Sequence, residues 1–282
     1  GRRARLRAEL DAYYARLYKA VVEREQYIEN QGTSWAICTP SLRREEADKR
    51  MGDETGYSLY VKAAAADLPP GMPKWKVALG AGRPVLRAAR AEITVDGNDA
   101  DWAKVPFSAP FRDNFSNGPA VAKTEAAVAT DGRALYICFR CEEPDKWYAM
   151  PRDYDDFLLC NNDSVEALLC PTQDTNTYYH FITDVLGARA DGARLGAEAK
   201  YDVHWNAEWS ASVIRGKNNW LVEMAIPFSA LGRKAPVAGE EWIFSLYRTR
   251  RGGGKRGQEY QGFSPSMAGY HDFRYAARLI FD

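Results

Sequence analysis

Trp220-Leu221-Val222-Glu223-Met224-Ala225-Ile226-Pro227-Phe228 is the stretch whose reading decides the fold. Successive side chains of a β-strand point to opposite faces, so Trp220, Val222, Met224 and Ile226 share one face and read as core, while Glu223 falls on the other. Pro227 lacks the N–H that a further ladder bond needs and ends the strand.

Short β-branched or aromatic runs of the same kind recur on both sides of it, at Glu92–Val95, Thr124–Ala129, Ala134–Cys141, Ser164–Cys170, Thr177–Asp184, Trp209–Arg215, Glu241–Arg250 and Tyr275–Phe281. No helical period lies between them, which points to a sandwich or barrel rather than an α/β fold. Asp131-Gly132 and Gly216-Lys217-Asn218-Asn219 separate neighbouring strands with residues that tolerate positive φ, the mark of hairpin turns. The expected fold is mainly β: a two-layer antiparallel β-sandwich over residues 88–282, with Trp102 and Trp242 as packing anchors. Upstream, Leu6, Leu10, Tyr13, Leu17 and Val21 recur at helical spacing, and Pro69-Pro70-Gly71-Met72-Pro73 breaks the chain. Residues 1–87 therefore read as a helical N-terminal region and linker.

The 38 basic residues are balanced by 38 acidic ones, so no long-range field draws in nucleic acid or an anionic membrane surface. The partner expected on that ground is neutral. No run reaches the ~18 consecutive apolar residues of a membrane span. Cys138-Phe-Arg-Cys141 has the spacing of a metal or redox motif, but it lies in a strand, where residues three apart face opposite ways, so the two thiols read as small buried hydrophobes.

Several segments in order resemble the family 9 carbohydrate-binding modules. They are Ile93-Thr94-Val95-Asp96-Gly97 with Asp101-Trp102, Ala129-Thr130-Asp131-Gly132 with Leu135-Tyr136-Ile137, and Asp163-Ser164-Val165-Glu166. Tyr178-Tyr179-His180-Phe181 with Gly187, the Trp220–Phe228 strand with Leu231, and Trp242-Ile243-Phe244 with Arg248 complete the series. The match rests on their order, since no one of them is specific. The resemblance implies a sandwich that binds sugar without cutting it, a structural calcium, a partner carbohydrate, and a place in a secreted, periplasmic or cell-surface protein that degrades polysaccharides, beside an upstream catalytic domain in a longer parent chain.

It also implies a site in which a terminal sugar is held between two aromatic rings and hydrogen-bonded by polar side chains, one of them the Glu at the position of Glu166. The first ring is missing from its usual place, where Leu159, Cys160 and Asn161 stand. Trp147 or Tyr148, in the insert Asp145–Asn162, offers a substitute wall; the same rings could instead close one end of the sandwich. Tyr270 and His271 lie near the position of the second plate. Glu166 and Arg248 are charges within apolar strands and need a partner or a cleft, since a lone buried charge is costly. Either they meet sugar hydroxyls on one open face or they form a structural ion pair, with each other as one option.

Asp96, Asp99 and Asp101 are the candidate calcium ligands. Their spacing is not that of an EF-hand loop, and a solvated turn is the simpler account of them. Arg250, Arg251, Lys255 and Arg256 around Gly252-Gly253-Gly254 read as a long hairpin tip with an acidic polysaccharide as its alternative contact. No catalytic spacing of carboxylates, nucleophile elbow or metal motif appears, and His180, His204 and His271 are scattered, so an enzyme is not expected. Two non-catalytic rivals remain: a docking sandwich without a sugar ligand, and a haem-binding relative, which would need axial Met, His or Lys ligands and has Met150, Met224 and Met267 among the candidates.

Overall fold

The computed structural model describes residues 83–252, 258–266 and 268–282. The expected N-terminal helix, Met267 and most of the basic hairpin tip lie outside them. The described residues are mainly β, with twelve strands. One layer is built from β7 (Arg189–Leu195), β6 (Thr177–Asp184), β5 (Ser164–Cys170), β10 (Glu241–Arg250) and β12 (Ala277–Phe281), in that order. The other is built from β3 (Thr124–Thr130), β4 (Ala134–Glu142), β9 (Asn219–Pro227) and β8 (Ser210–Arg215). Two short strands, β2 (Arg112–Asp113) and β11 (Glu259–Gly262), extend from β10.

The layers are not fully separate. In β1 (Val85–Arg90), residues Val85 to Ala88 pair with β12, then Ala89 and Arg90 pair with β3, so this strand passes from one layer to the other and makes the whole nearly barrel-like. Both pairings are parallel, whereas the remaining ladders are antiparallel. A parallel neighbour needs a long crossover, and residues 91–123 supply it between β1 and β3. β1 escapes the sequence reading because arginines interrupt its apolar pattern. The expected strand at Glu92–Val95 is absent: the alternation is there, but Asp101 takes the Thr94 N–H (3.0 Å) and Glu223 the Asp96 N–H (3.1 Å), in place of a neighbouring strand.

Trp220, Val222, Met224 and Ile226 do lie in the core, facing Val165, Ala167, Leu169, Phe244 and Leu246 of the opposite layer. Each aliphatic side chain so buried contributes about 1.5–3 kcal/mol, which makes this pattern the main determinant of register. Trp242 is fully buried against Phe228 and Phe281. Trp102 anchors a satellite cluster on the outer side of β9, where its Nε1 donates to Glu223 at 2.7 Å. The Asp131-Gly132 turn joins β3 to β4 with Gly132 at φ 87°. Cys138 and Cys141 are free thiols in different clusters on the two faces of β4. No helix of the described residues is long and apolar enough to cross a membrane.

Candidate functional site

Strand β5 is buried on both faces. Val165, Ala167 and Leu169 fill the core; Ser164, Glu166, Leu168 and Cys170 point the other way, to the outer face of their layer. Glu166 stands opposite Tyr247 of β10 and Ile182 of β6, and Leu168 stands opposite His180. Residues on this face are then covered by side chains from three connecting segments: Phe157 from the β4–β5 connection, Tyr201 from the β7–β8 connection, and Tyr270, His271 and Phe273 from the segment before β12.

A hydrogen-bonded cluster results. The His180 Nε2 and Glu166 Oε2 are 2.8 Å apart, the other His180 nitrogen meets the Tyr201 hydroxyl at 3.1 Å, and the His271 Nδ1 meets the Tyr178 hydroxyl at 2.8 Å. The two imidazoles pack edge to face with centroids 5.0 Å apart, and Tyr201 meets His271 at 4.8 Å. Tyr270 lies flat on Tyr247, 4.0 Å away at an interplanar angle of 4°, and its hydroxyl donates to the Arg248 carbonyl. Sequence reasoning treated the histidines as scattered. The structure corrects this for His180 and His271, while His204 stays exposed with its backbone N–H on Asp202.

This cluster avoids charge. Burial pushes the Glu166 carboxyl up to about 8, against a smaller opposing pull from Arg251. Burial pushes His180 down to about 3, and burial followed by the nearby His180 holds His271 well below the usual histidine range. Desolvation disfavours the charged form of every member, so at pH 7 the pair Glu166–His180 carries no net charge. Aromatic walls around an uncharged array of donors and acceptors suit a ligand with hydroxyls and apolar faces.

Arg248 does not belong here. It lies six residues after Trp242 on β10, an even number, and so shares the core-facing side, opposite to Glu166. Its guanidinium bonds to Glu143 (3.0 Å) and Thr124 (3.0 Å) and sits over the Trp220 ring. Arg250 joins the same Glu143 at 2.7 Å and Asp145 at 2.7 Å. The expected shared face for Glu166 and Arg248 is therefore overturned, and the ion pair that Arg248 makes is with Glu143.

Trp147 and Tyr148 are exposed on the segment that crosses one end of the sandwich. There the Tyr148 N–H donates to Asp163 at 2.6 Å, and Arg215 lies over the Trp147 ring. In the turn that carries Asp96, Asp99 and Asp101, Asp96 accepts from Asn98 N–H, Asp99 pairs with Arg140 at 2.7 Å, and Asp101 holds the Thr94 N–H. Among the described residues no three His, Cys, Asp or Glu side chains converge on a metal position. As for haem, Met224 is in the core and Met150 is exposed at the crossing segment.

Tyr178, His180 and Tyr201 were not foreseen as site residues. The first two were within reach, because Tyr178 and His180 alternate onto one face of a strand whose other face carries Phe181; Tyr201 comes from a connection that carries no pattern.

No protein-family profile and no curated protein sequence matches the chain. Solved structures do. A presumed carbohydrate-binding protein of Bacteroides uniformis superposes with TM-score 0.57 at 16% identity, over 71% of this chain and 100% of the other. A family 9 carbohydrate-binding module of Caldicellulosiruptor kristjanssonii, solved with glucose, gives TM-score 0.52 at 14% identity over 70% of this chain and 95% of its own. The same module with cellotriose gives 0.51 at 14% identity, over 70% and 93%. The fold is that of the family 9 carbohydrate-binding modules.

Proposed function

We propose that the chain is a non-catalytic carbohydrate-binding module whose site lies on the outer face of β5, β6 and β10, at Glu166, His180, Tyr270 and His271. The observation that carries this reading is the uncharged, aromatic-walled hydrogen-bond cluster, built where an ordinary sheet face would present solvent-exposed residues. The similar fold of modules solved with glucose and cellotriose supports it. Tyr270 and His271 are half-buried and border the cluster, while Glu166 is 2% exposed, so a sugar engages that carboxyl only once its cover shifts. A secreted setting beside a polysaccharide-degrading domain is part of the same proposal.

Calorimetry against a panel of neutral oligosaccharides that includes glucose and cellotriose tests it. At least one should bind, Tyr270→Ala should weaken that binding about 5- to 30-fold by removing a stacking ring, and Glu166→Gln should weaken it while the circular dichroism spectrum is kept. The reading fails if no sugar in the panel binds, or if both variants bind like the parent.

A further inference from the structure

We infer that the segment crossing the end of the sandwich is a second glycan-binding surface, a ledge that holds a stretch of neutral polysaccharide apart from the Glu166 cluster. The inference rests on the carbohydrate function proposed above, but not on the location of that first site.

Four large apolar side chains on this one segment face solvent: Trp147 at 43% exposure, Tyr148 at 45%, Met150 at 52% and Tyr154 at 65%. Single exposed apolar residues are ordinary, whereas several in a row on one segment mark a contact surface. Their backbone is held in place. Tyr148 exchanges backbone bonds with Asp163, donating to its carboxylate at 2.6 Å and accepting from its N–H at 2.7 Å. Met150 does the same with the Asn162 side chain at 2.9 and 3.0 Å, and the Asp155 N–H reaches the Arg189 carbonyl at 2.9 Å. Rings presented on a fixed backbone lose little entropy when they bind, which is what a stacking platform requires.

The chemistry of the occupant follows from charge and shape. An arginine lies over a ring at each end of the ledge, Arg215 over Trp147 at 5.4 Å and Arg189 over Tyr154 at 5.2 Å. Residues 145–156 carry two basic and four acidic side chains, so with those two arginines the count is four against four. A net-neutral ledge offers no gain to an acidic polymer. It does offer apolar faces for the C–H surfaces of sugar rings and, between them, charged side chains as donors and acceptors for hydroxyls. A protein partner needs about 800 Å² on each side with an apolar centre, which a single row of rings does not provide.

The test uses the full chain and reads the two sites separately: pull-down on insoluble cellulose and other neutral polysaccharides for the ledge, and calorimetry with short oligosaccharides for the cluster. Trp147→Ala with Tyr148→Ala should cut the fraction bound to polysaccharide about 5- to 30-fold and leave short-sugar affinity unchanged. Tyr154→Ala alone, at a mostly exposed position, should give a smaller loss of the same kind and guards against misfolding of the double variant. The ledge is overturned if the parent binds none of the polysaccharides, if the double variant is retained like the parent, or if Glu166→Gln abolishes polysaccharide binding as completely as the double variant does. Loss of short-sugar binding in Glu166→Gln with polysaccharide binding kept supports both sites; no short-sugar binding in the parent with ledge-dependent polysaccharide binding removes only the first.

Discussion

Gly192 on β7 shows how one residue positions the cluster. Its φ lies outside the left-handed region, so the backbone does not require glycine, but a Cβ there would stand 2.3 Å from the Tyr201 hydroxyl oxygen and 2.9 Å from the Asp202 carbonyl. Tyr201 reaches His180 only because this strand has no side chain beneath the ring. Gly192→Ala is expected to cost about 1–3 kcal/mol through overpacking and to push Tyr201 off His180. In a Tyr201→Ala background the methyl group finds part of the room it needs, so the two substitutions should be non-additive in denaturant melts by at least about 1 kcal/mol. Strict additivity would refute the contact. Arg248 illustrates the converse case of a residue fixed by charge: Glu143→Gln removes the carboxylate that Arg248 and Arg250, both fully buried, share, leaving Asp145 as the paired acid of Arg250 alone, and should cost about 3–5 kcal/mol in the same assay. A loss below about 1 kcal/mol would mean that the guanidiniums find other partners.

Among the elements, the junction at Asp163 matters most to the ledge, because its carboxylate accepts from Tyr148, Arg251 and Gly252 N–H groups and so ties the crossing segment and the end of β10 to the start of β5. Asp163→Asn presents an amide N–H₂ to donors that need an acceptor. We expect a loss of about 2–4 kcal/mol and faster hydrogen exchange at those three amides; unchanged exchange would show that the junction holds without the charge. Element-level patterns also explain what was legible in advance. Trp220–Phe228 could be read because period-2 burial and a terminal proline agree, and the same arithmetic applied along β10, from Trp242 to Arg248, would have placed Arg248 in the core. β1 could not be read, since its partners are a parallel pair whose register depends on strands far along the chain. The meeting of His180 with His271 was equally hidden, because His271 lies on the segment between β11 and β12, which carries no periodic signal.

For the whole molecule, the buried groups set how stability varies with pH. Glu166 titrates at about 8 when folded and near 4.3 when unfolded, so it contributes stability that is full below about pH 4.3 and is lost as pH rises through 8. Asp191, raised to about 6 mainly by burial, acts with the same sign between roughly 3.9 and 6. His180 acts with the opposite sign: lowered to about 3, it contributes stability that is full above about pH 6.5 and is lost as pH falls. Between about pH 4.3 and 6.5 these contributions oppose one another. Above 6.5 the histidine contribution has levelled off and Asp191 has finished titrating, which leaves Glu166 as the one of the three still losing protons. From pH 6.5 to 8 that amounts to about 2 kcal/mol, or roughly 4–8 °C of melting temperature for a unit of this size. Glu166→Gln keeps the shape and the hydrogen bond to His180 but cannot titrate. Thermal melts of the two proteins at half-unit steps should therefore converge near pH 4.3 and separate progressively towards pH 8, the parent still falling between about pH 6.5 and 8 while the variant stays level. Parallel curves would mean that Glu166 is already ionised at pH 6.5, that its environment is more polar than its burial implies, and that the site presents a charge rather than a neutral donor to its ligand.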